Sequence, residues 1–119
     1  MLAGRKLTGG KYKRPKKKKK TGRQGQTRIV KLGDRKSKLL GGRGNTTKLV
    51  SFTGNYCNII IKGKAKSAKI TNVLETPANV FLARQNVLVK GAVIETDLGK
   101  AKITNRPSQE GQIQAVLIE

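Results

Sequence analysis

The chain has no histidine, no tryptophan and one cysteine. Without histidine the commonest general acid–base group is missing, and no nucleophile has an obvious base. Cys57 has no second cysteine, so an intrachain disulfide is excluded and a reducing compartment fits. With neither histidine nor another thiol beside it, Cys57 cannot join a zinc site and reads as a small core or edge residue. The aromatics are Tyr12, Phe52, Tyr56 and Phe81. Stacking platforms for single-stranded nucleic acid are therefore scarce, and any core must come from Val, Ile and Leu. The six acids are scattered. Glu95 and Asp97 lie two apart where a turn begins, and read as solvent-facing charges rather than a carboxylate pair. No apolar run approaches the ~20 residues of a membrane span. The N-terminus has charge but no apolar h-region, so it is not a secretory signal. It also lacks the amphipathic face that would deepen binding to a membrane. No dinucleotide fingerprint or Walker sequence occurs. These absences argue against an enzyme, a cofactor, a metal site, a membrane partner and a small-molecule substrate.

Positive charge is abundant. The chain carries 27 Lys and Arg against six acids, a net of +21. Residues 1–50 hold eighteen of the cations and one acid, Asp34, a net of +17; the other 69 residues net +4. The first 27 residues read as a basic extended arm, disordered when free. They carry Arg5, Lys6, Lys11, Lys13, Arg14, the run Lys16, Lys17, Lys18, Lys19 and Lys20, and Arg23. Without apolar periodicity this segment cannot offset the entropy of ordering itself. Fully stretched it reaches on the order of 90 Å at ~3.3 Å per residue. Thr8-Gly9-Gly10 reads as a flexible joint, and the lysine run also has the form of a nuclear-import signal or a solvated tail.

Residues 28–119 read as a small domain. Basic residues continue into it at Arg28, Lys31, Arg35, Lys36, Lys38, Arg43 and Lys48, with a second patch at Lys62, Lys64 and Lys66. That patch can equally be an exposed turn, as Lys100 and Lys102 can be plain strand lysines. Strand-like runs cover 27–32, 46–52, 56–61, 68–74, 86–90, 92–96, 100–105 and 112–118, with almost no helical period. Gly54-Asn55 and Asp97-Leu98-Gly99 read as turns. Gly41 to Asn45 reads as a flexible loop whose arginine fits either a phosphate contact or a linker. Glu75 or Thr76 ahead of Pro77 predicts a short helix over 80–84 that plugs one end of the core. Arg106 to Gly111 reads as a loop. The fold class is mostly β: a small closed or partly closed β-barrel of short antiparallel strands with one short helical segment, preceded by the extended basic arm. The charge distribution points to a polyanion, and folded RNA suits an arm that orders on binding. A DNA-compacting chromosomal protein shares this composition.

Several stretches carry a family resemblance. They are Ala68 to Asn79, Ala83-Arg-Gln-Asn86, Lys90 to Ile94, Thr96 to Gly99, Arg106 to Gly111, and the ending through Glu119. Gly4 to Gly10, Leu32 to Lys36 and Gly42 to Asn45 add to them. Together they resemble the archaeal and eukaryotic family of small-subunit ribosomal protein eight over nearly the whole chain. Leu7 departs from the proline usual in that family. The eukaryotic insertion is absent, so the resemblance implies an archaeal member in the cytoplasm. It further implies a non-enzymatic constituent of the small subunit. Its partners would be small-subunit rRNA, bound through the arm and the basic face of the barrel, and neighbouring ribosomal proteins.

Overall fold

A computed structural model describes residues 4–13, 16–17, 19–22 and 25–118. The domain starts from alternation. In β4 (Tyr56–Ile61) Cys57 and Ile59 are buried while Tyr56, Asn58 and Ile60 face out. In β7 (Gly99–Ile103) Ala101 and Ile103 are buried between exposed lysines. β5 (Lys64–Glu75), β6 (Val93–Thr96) and β8 (Gln114–Leu117) complete a closed barrel in the order β4-β5-β6-β7-β8. Period-two strands turn one set of side chains inward, and closure leaves no free edge. The core gathers Ile59, Ile70, Val73, Ile94, Ile103 and Ala115, with Val30, Leu88 and Ala92 contributed from outside the barrel strands. Neighbouring strands pair antiparallel except at the seam, where β4 and β8 run parallel, Asn58 opposite Gln114 and Ile60 opposite Val116.

β5 resolves which residue near its end turns inward. A register shift between Ile70 and Asn72 slips the alternation by one, so Val73 is buried and Leu74 is exposed. The strand also begins earlier than the sequence suggests. Lys62 and Gly63 form a two-residue turn with both φ positive, at 47° and 78°. This primed turn matches the strand twist, and it makes Lys64 and Lys66 strand residues.

Beside the barrel lies a three-stranded sheet that the sequence reading missed. Its order is β1-β3-β2, from β1 (Lys31–Leu32), β2 (Lys36–Gly41) and β3 (Thr47–Gly54). Four further expectations are corrected. Gly54-Asn55 is not a hairpin turn, because β3 belongs to this sheet and β4 to the barrel, and the chain steps between them at Asn55. The run 86–90 is not a strand: Asn86 and Gly91 sit at positive φ and bound it, leaving one bridge from Val87 to Lys31. Helix α1 (Val80–Arg84) exists, but Asn79 caps it, accepting from Phe81 N at 3.1 Å. It buries no residue fully; Ala83, half-buried, packs against the core, so the helix lies against the barrel rather than filling its end. Finally, 107–110 is not loop but a helical turn, α2 (Pro107–Glu110), entered by proline and ended by Gly111 in the left-handed region at φ 69°.

α2 packs on β3. A Cβ on Gly111 would lie 2.6 Å from Leu49 Cγ, so only glycine lets the two elements approach this closely. Within the arm, a tight turn closes on itself: Lys6 N donates to Gly10 O at 2.9 Å and Arg5 bridges Lys11. Lys20–Gly22 forms one 3-10 turn.

Candidate nucleic-acid interface

The cations that the sequence singles out fall, Arg28 apart, into three settings. Arg5, Lys6, Lys11, Lys13, Lys16, Lys17, Lys19 and Lys20 are exposed on the arm. Arg5 Nη1 donates to Gly9 O at 3.1 Å, and Lys6 Nζ stands 5.8 Å from the Tyr12 ring centre. Arg14, Lys18 and Arg23 lie outside the described residues.

The second setting is the three-stranded sheet. Lys31 lies on β1, Lys36 and Lys38 on β2, Arg35 just before it, and Lys48 on β3; all are exposed. Lys38 and Lys48 share a face, because Lys38 pairs with Val50 and Lys48 with Leu40, two residues apart along each strand. Lys48 Nζ donates to Gln109 Oε1 at 2.5 Å and ties the sheet to α2. Arg43 stands in the loop joining β2 and β3. That loop is built: Thr46 Oγ1 donates to Arg43 O at 2.7 Å, and Gly44 and Asn45 take positive φ.

The third setting is the far hairpin. Lys62 is at its turn and Lys64 on its second strand, both exposed. Lys64 pairs with Ile61 and Lys66 with Ile59, at the end where β5 runs beyond β6 and pairs with β4 alone.

The fold also makes a cluster that the sequence does not show. Arg28, Lys90 and Arg106 line one cleft of about 280 Å³, together with Thr27, Pro107 and Ser108. Arg28 Nε donates to Ser108 O at 3.3 Å, which fixes one edge of its guanidinium on the α2 turn. Thr27 and Arg28 stand just before Val30, the first residue of the chain to enter the core. Three guanidinium and ammonium groups around one recess suit a phosphate, whose oxygens accept several donors at once. Lys90 and Arg106 were missed because each stands alone in a stretch of ordinary charge. The proline after Arg106, which opens α2, was the only local signal.

A second cleft, of about 330 Å³, opens between the sheet and the barrel. Arg35 is the one cation on its lining; the rest is uncharged, with Ser, Thr, Asn and Gln side chains beside Tyr56 and the apolar Ile113. A different chemistry appears around α1, where Val80 and Phe81 are more than two-thirds exposed and Arg84, its last residue, is the one cation between Val73 and Gln85. Cys57 faces the barrel core, and burial pushes its thiol up to about 11. Among the described residues, no group of three or more Cys, Asp and Glu side chains is gathered as a metal site.

Comparison with known proteins bears on this surface. The profile described as Ribosomal protein S8e matches residues 2–118. A Haloarcula marismortui protein named small ribosomal subunit protein eS8 is 40% identical, over 97% of this chain and 94% of that protein. Proteins of the same name from Pyrobaculum aerophilum and Ignicoccus hospitalis are 42% and 43% identical. Each aligns with 97% of this chain, and with 91% and 92% of its own length respectively.

Proposed function

The chain belongs to the Ribosomal protein S8e family, and from that premise we propose that it is a structural constituent of the small ribosomal subunit, binding small-subunit rRNA by phosphate neutralisation and shape. As a ribosomal protein its place of work is the cytoplasmic ribosome. The arm cations thread between RNA helices and screen phosphate repulsion. Arg28, Lys31, Arg35, Lys36, Lys38, Arg43 and Lys48 dock the domain, and Lys62 and Lys64 add a lateral contact. Lys90 and Arg106 join Arg28 in holding a phosphate. The bare apolar residues Val80 and Phe81 of α1 suit a neighbouring ribosomal protein better than RNA, with Arg84 at the end of the helix as its one cation. No catalytic step is assigned.

The observation that carries the reading is the placement of charge: Arg28, Lys90 and Arg106, from separate parts of the chain, line one cleft beside Thr27, and the residues before Thr27 are strongly net positive in sequence. Such an arrangement binds a phosphate backbone without reading its sequence. The test is binding to small-subunit rRNA across a salt series, for the whole chain and for a truncation starting at Thr27, with duplex DNA as competitor. Each phosphate that is no longer neutralised flattens the log–log slope by roughly 0.7–0.9. A steep slope that drops on truncation, with RNA preferred, supports the proposal. Equal affinity for DNA would favour chromosomal compaction instead. An unchanged slope would show that the arm takes no part.

A further inference from the structure

The cleft between the sheet and the barrel has the wrong chemistry for a phosphate and the right one for a base. Pairing of β4 with β5 sets Asn58 directly opposite Ser67 on the outer face of the barrel, with Tyr56 two residues along on the same face. Gln112 closes the side and Ile113 provides an apolar floor. Asn79 and Asn105 spend their amides on backbone groups. Among the described residues, the amides of Asn58 and Gln112 make no such bond. Each amide offers a donor and an acceptor side by side, the pattern that matches a base edge. Tyr56 lines the recess and is 59% exposed, so its ring is open to a partner. The volume, about 330 Å³, is at the low end of the roughly 300–1,000 Å³ of small-ligand sites. It has room for one base but not for a helix groove. Arg35 stands at the same recess, where it can pair with the phosphate of the nucleotide that enters.

We infer that this cleft receives a single unstacked nucleobase of the bound RNA, stacked on Tyr56 and held at its edge by Asn58 and Gln112. The inference rests on the RNA-binding reading above and deepens it: the arm and the cationic cleft supply affinity without sequence, and this recess supplies one point of register.

The experiment uses the full chain and small-subunit rRNA. Tyr56→Ala removes the stack, and binding weakens about tenfold, within the range alanine substitution gives at stacked bases. Because every phosphate stays neutralised, the salt slope remains that of the unchanged chain. Tyr56→Phe retains near-normal affinity, whereas Tyr56→Leu behaves like alanine. Asn58→Ala weakens binding at constant slope. In a Tyr12→Phe background Tyr56 is the sole tyrosine and the chain has no tryptophan. Its emission then reports stacking: rRNA quenches it, and adenosine or uridine 5′-monophosphate does so only at far higher concentration. Normal affinity in Tyr56→Ala and Asn58→Ala would overturn the inference while leaving rRNA binding standing. Retention by Tyr56→Leu would overturn stacking as its basis. Quenching by mononucleotide but not by rRNA would assign the recess to a free nucleotide and overturn it likewise. Absence of salt-sensitive rRNA binding by the unchanged chain would remove both readings together.

Discussion

Gly111→Ala is the sharpest single perturbation this fold offers, because one methyl group meets two separate penalties there. The backbone stands at φ 69°, where an L-residue loses about 1–2 kcal/mol. The new Cβ would also fall 2.6 Å from Leu49 Cγ, 2.7 Å from Cδ2 and 3.1 Å from Cβ. Leu49 Cβ is fixed to strand β3 and cannot swing aside, so α2 and the strand must separate, an overpacking cost of about 1–3 kcal/mol. The expected loss is about 2–5 kcal/mol in all. Gly44→Ala supplies the control, with φ 67° and nothing within 4 Å of its Cβ, so only the backbone penalty applies. Urea unfolding followed by circular dichroism gives both losses. Their difference isolates the clash, and combining Gly111→Ala with Leu49→Ala gives the coupling directly. Losses that match between Gly111→Ala and Gly44→Ala would refute the claim that close approach, rather than φ, requires glycine at 111. The consequence extends to RNA. α2 carries Ser108 and Gln109, which hold Arg28 and Lys48, so loosening it lowers rRNA affinity at both cations.

Other outcomes follow from the same geometry. Arg28→Gln, Lys90→Gln and Arg106→Gln each flatten the salt slope of rRNA binding by roughly 0.7–0.9, whereas Lys102→Gln on β7 leaves it unchanged. The thiol of Cys57 rises from its ordinary 9.0 to about 11 in the folded chain. The folded state therefore holds that proton more tightly, unfolding releases it between these pH values, and stability falls there with rising pH, by at most about 3 kcal/mol. Cys57→Ala lacks this component, so unfolding midpoints of the two chains measured from pH 8 to 11 separate it from lysine titration. Asn79→Ala loses the α1 cap, about 1 kcal/mol of local helix stability. Because α1 buries no residue, hydrogen exchange quickens at Phe81 and Leu82 while the global unfolding midpoint moves little.

The barrel was largely legible in the sequence and the small sheet was not, for one physical reason. β7 and β8 have an inside and an outside, and Lys100-Ala-Lys-Ile writes that difference into the chain. β2 has no buried residue; its Lys-Ser-Lys start carries no alternation, and only pairing with β3 makes it a strand. α2 is too short to show a period. α1 was found through the break at Pro77. Its role was misjudged because apolar residues in a helix suggest a buried face, and here Val80 and Phe81 look outward. The arm cations announced themselves by density. The two clefts did not, since their walls come from segments about eighty residues apart, and no local pattern records which distant residues will meet.

The parallel seam between β4 and β8 also sets a timetable. A strand that pairs with one more than fifty residues earlier cannot join until it has been made, so the barrel stays open until Gln114–Leu117 leave the machine that synthesises them. At roughly 5–20 residues per second, the cationic arm precedes its own domain into the cell by on the order of ten seconds. During that interval it is an unaccompanied polycation among nucleic acids. Capture by an anionic surface or a chaperone therefore competes with folding, and order of emergence becomes part of how this protein reaches its site.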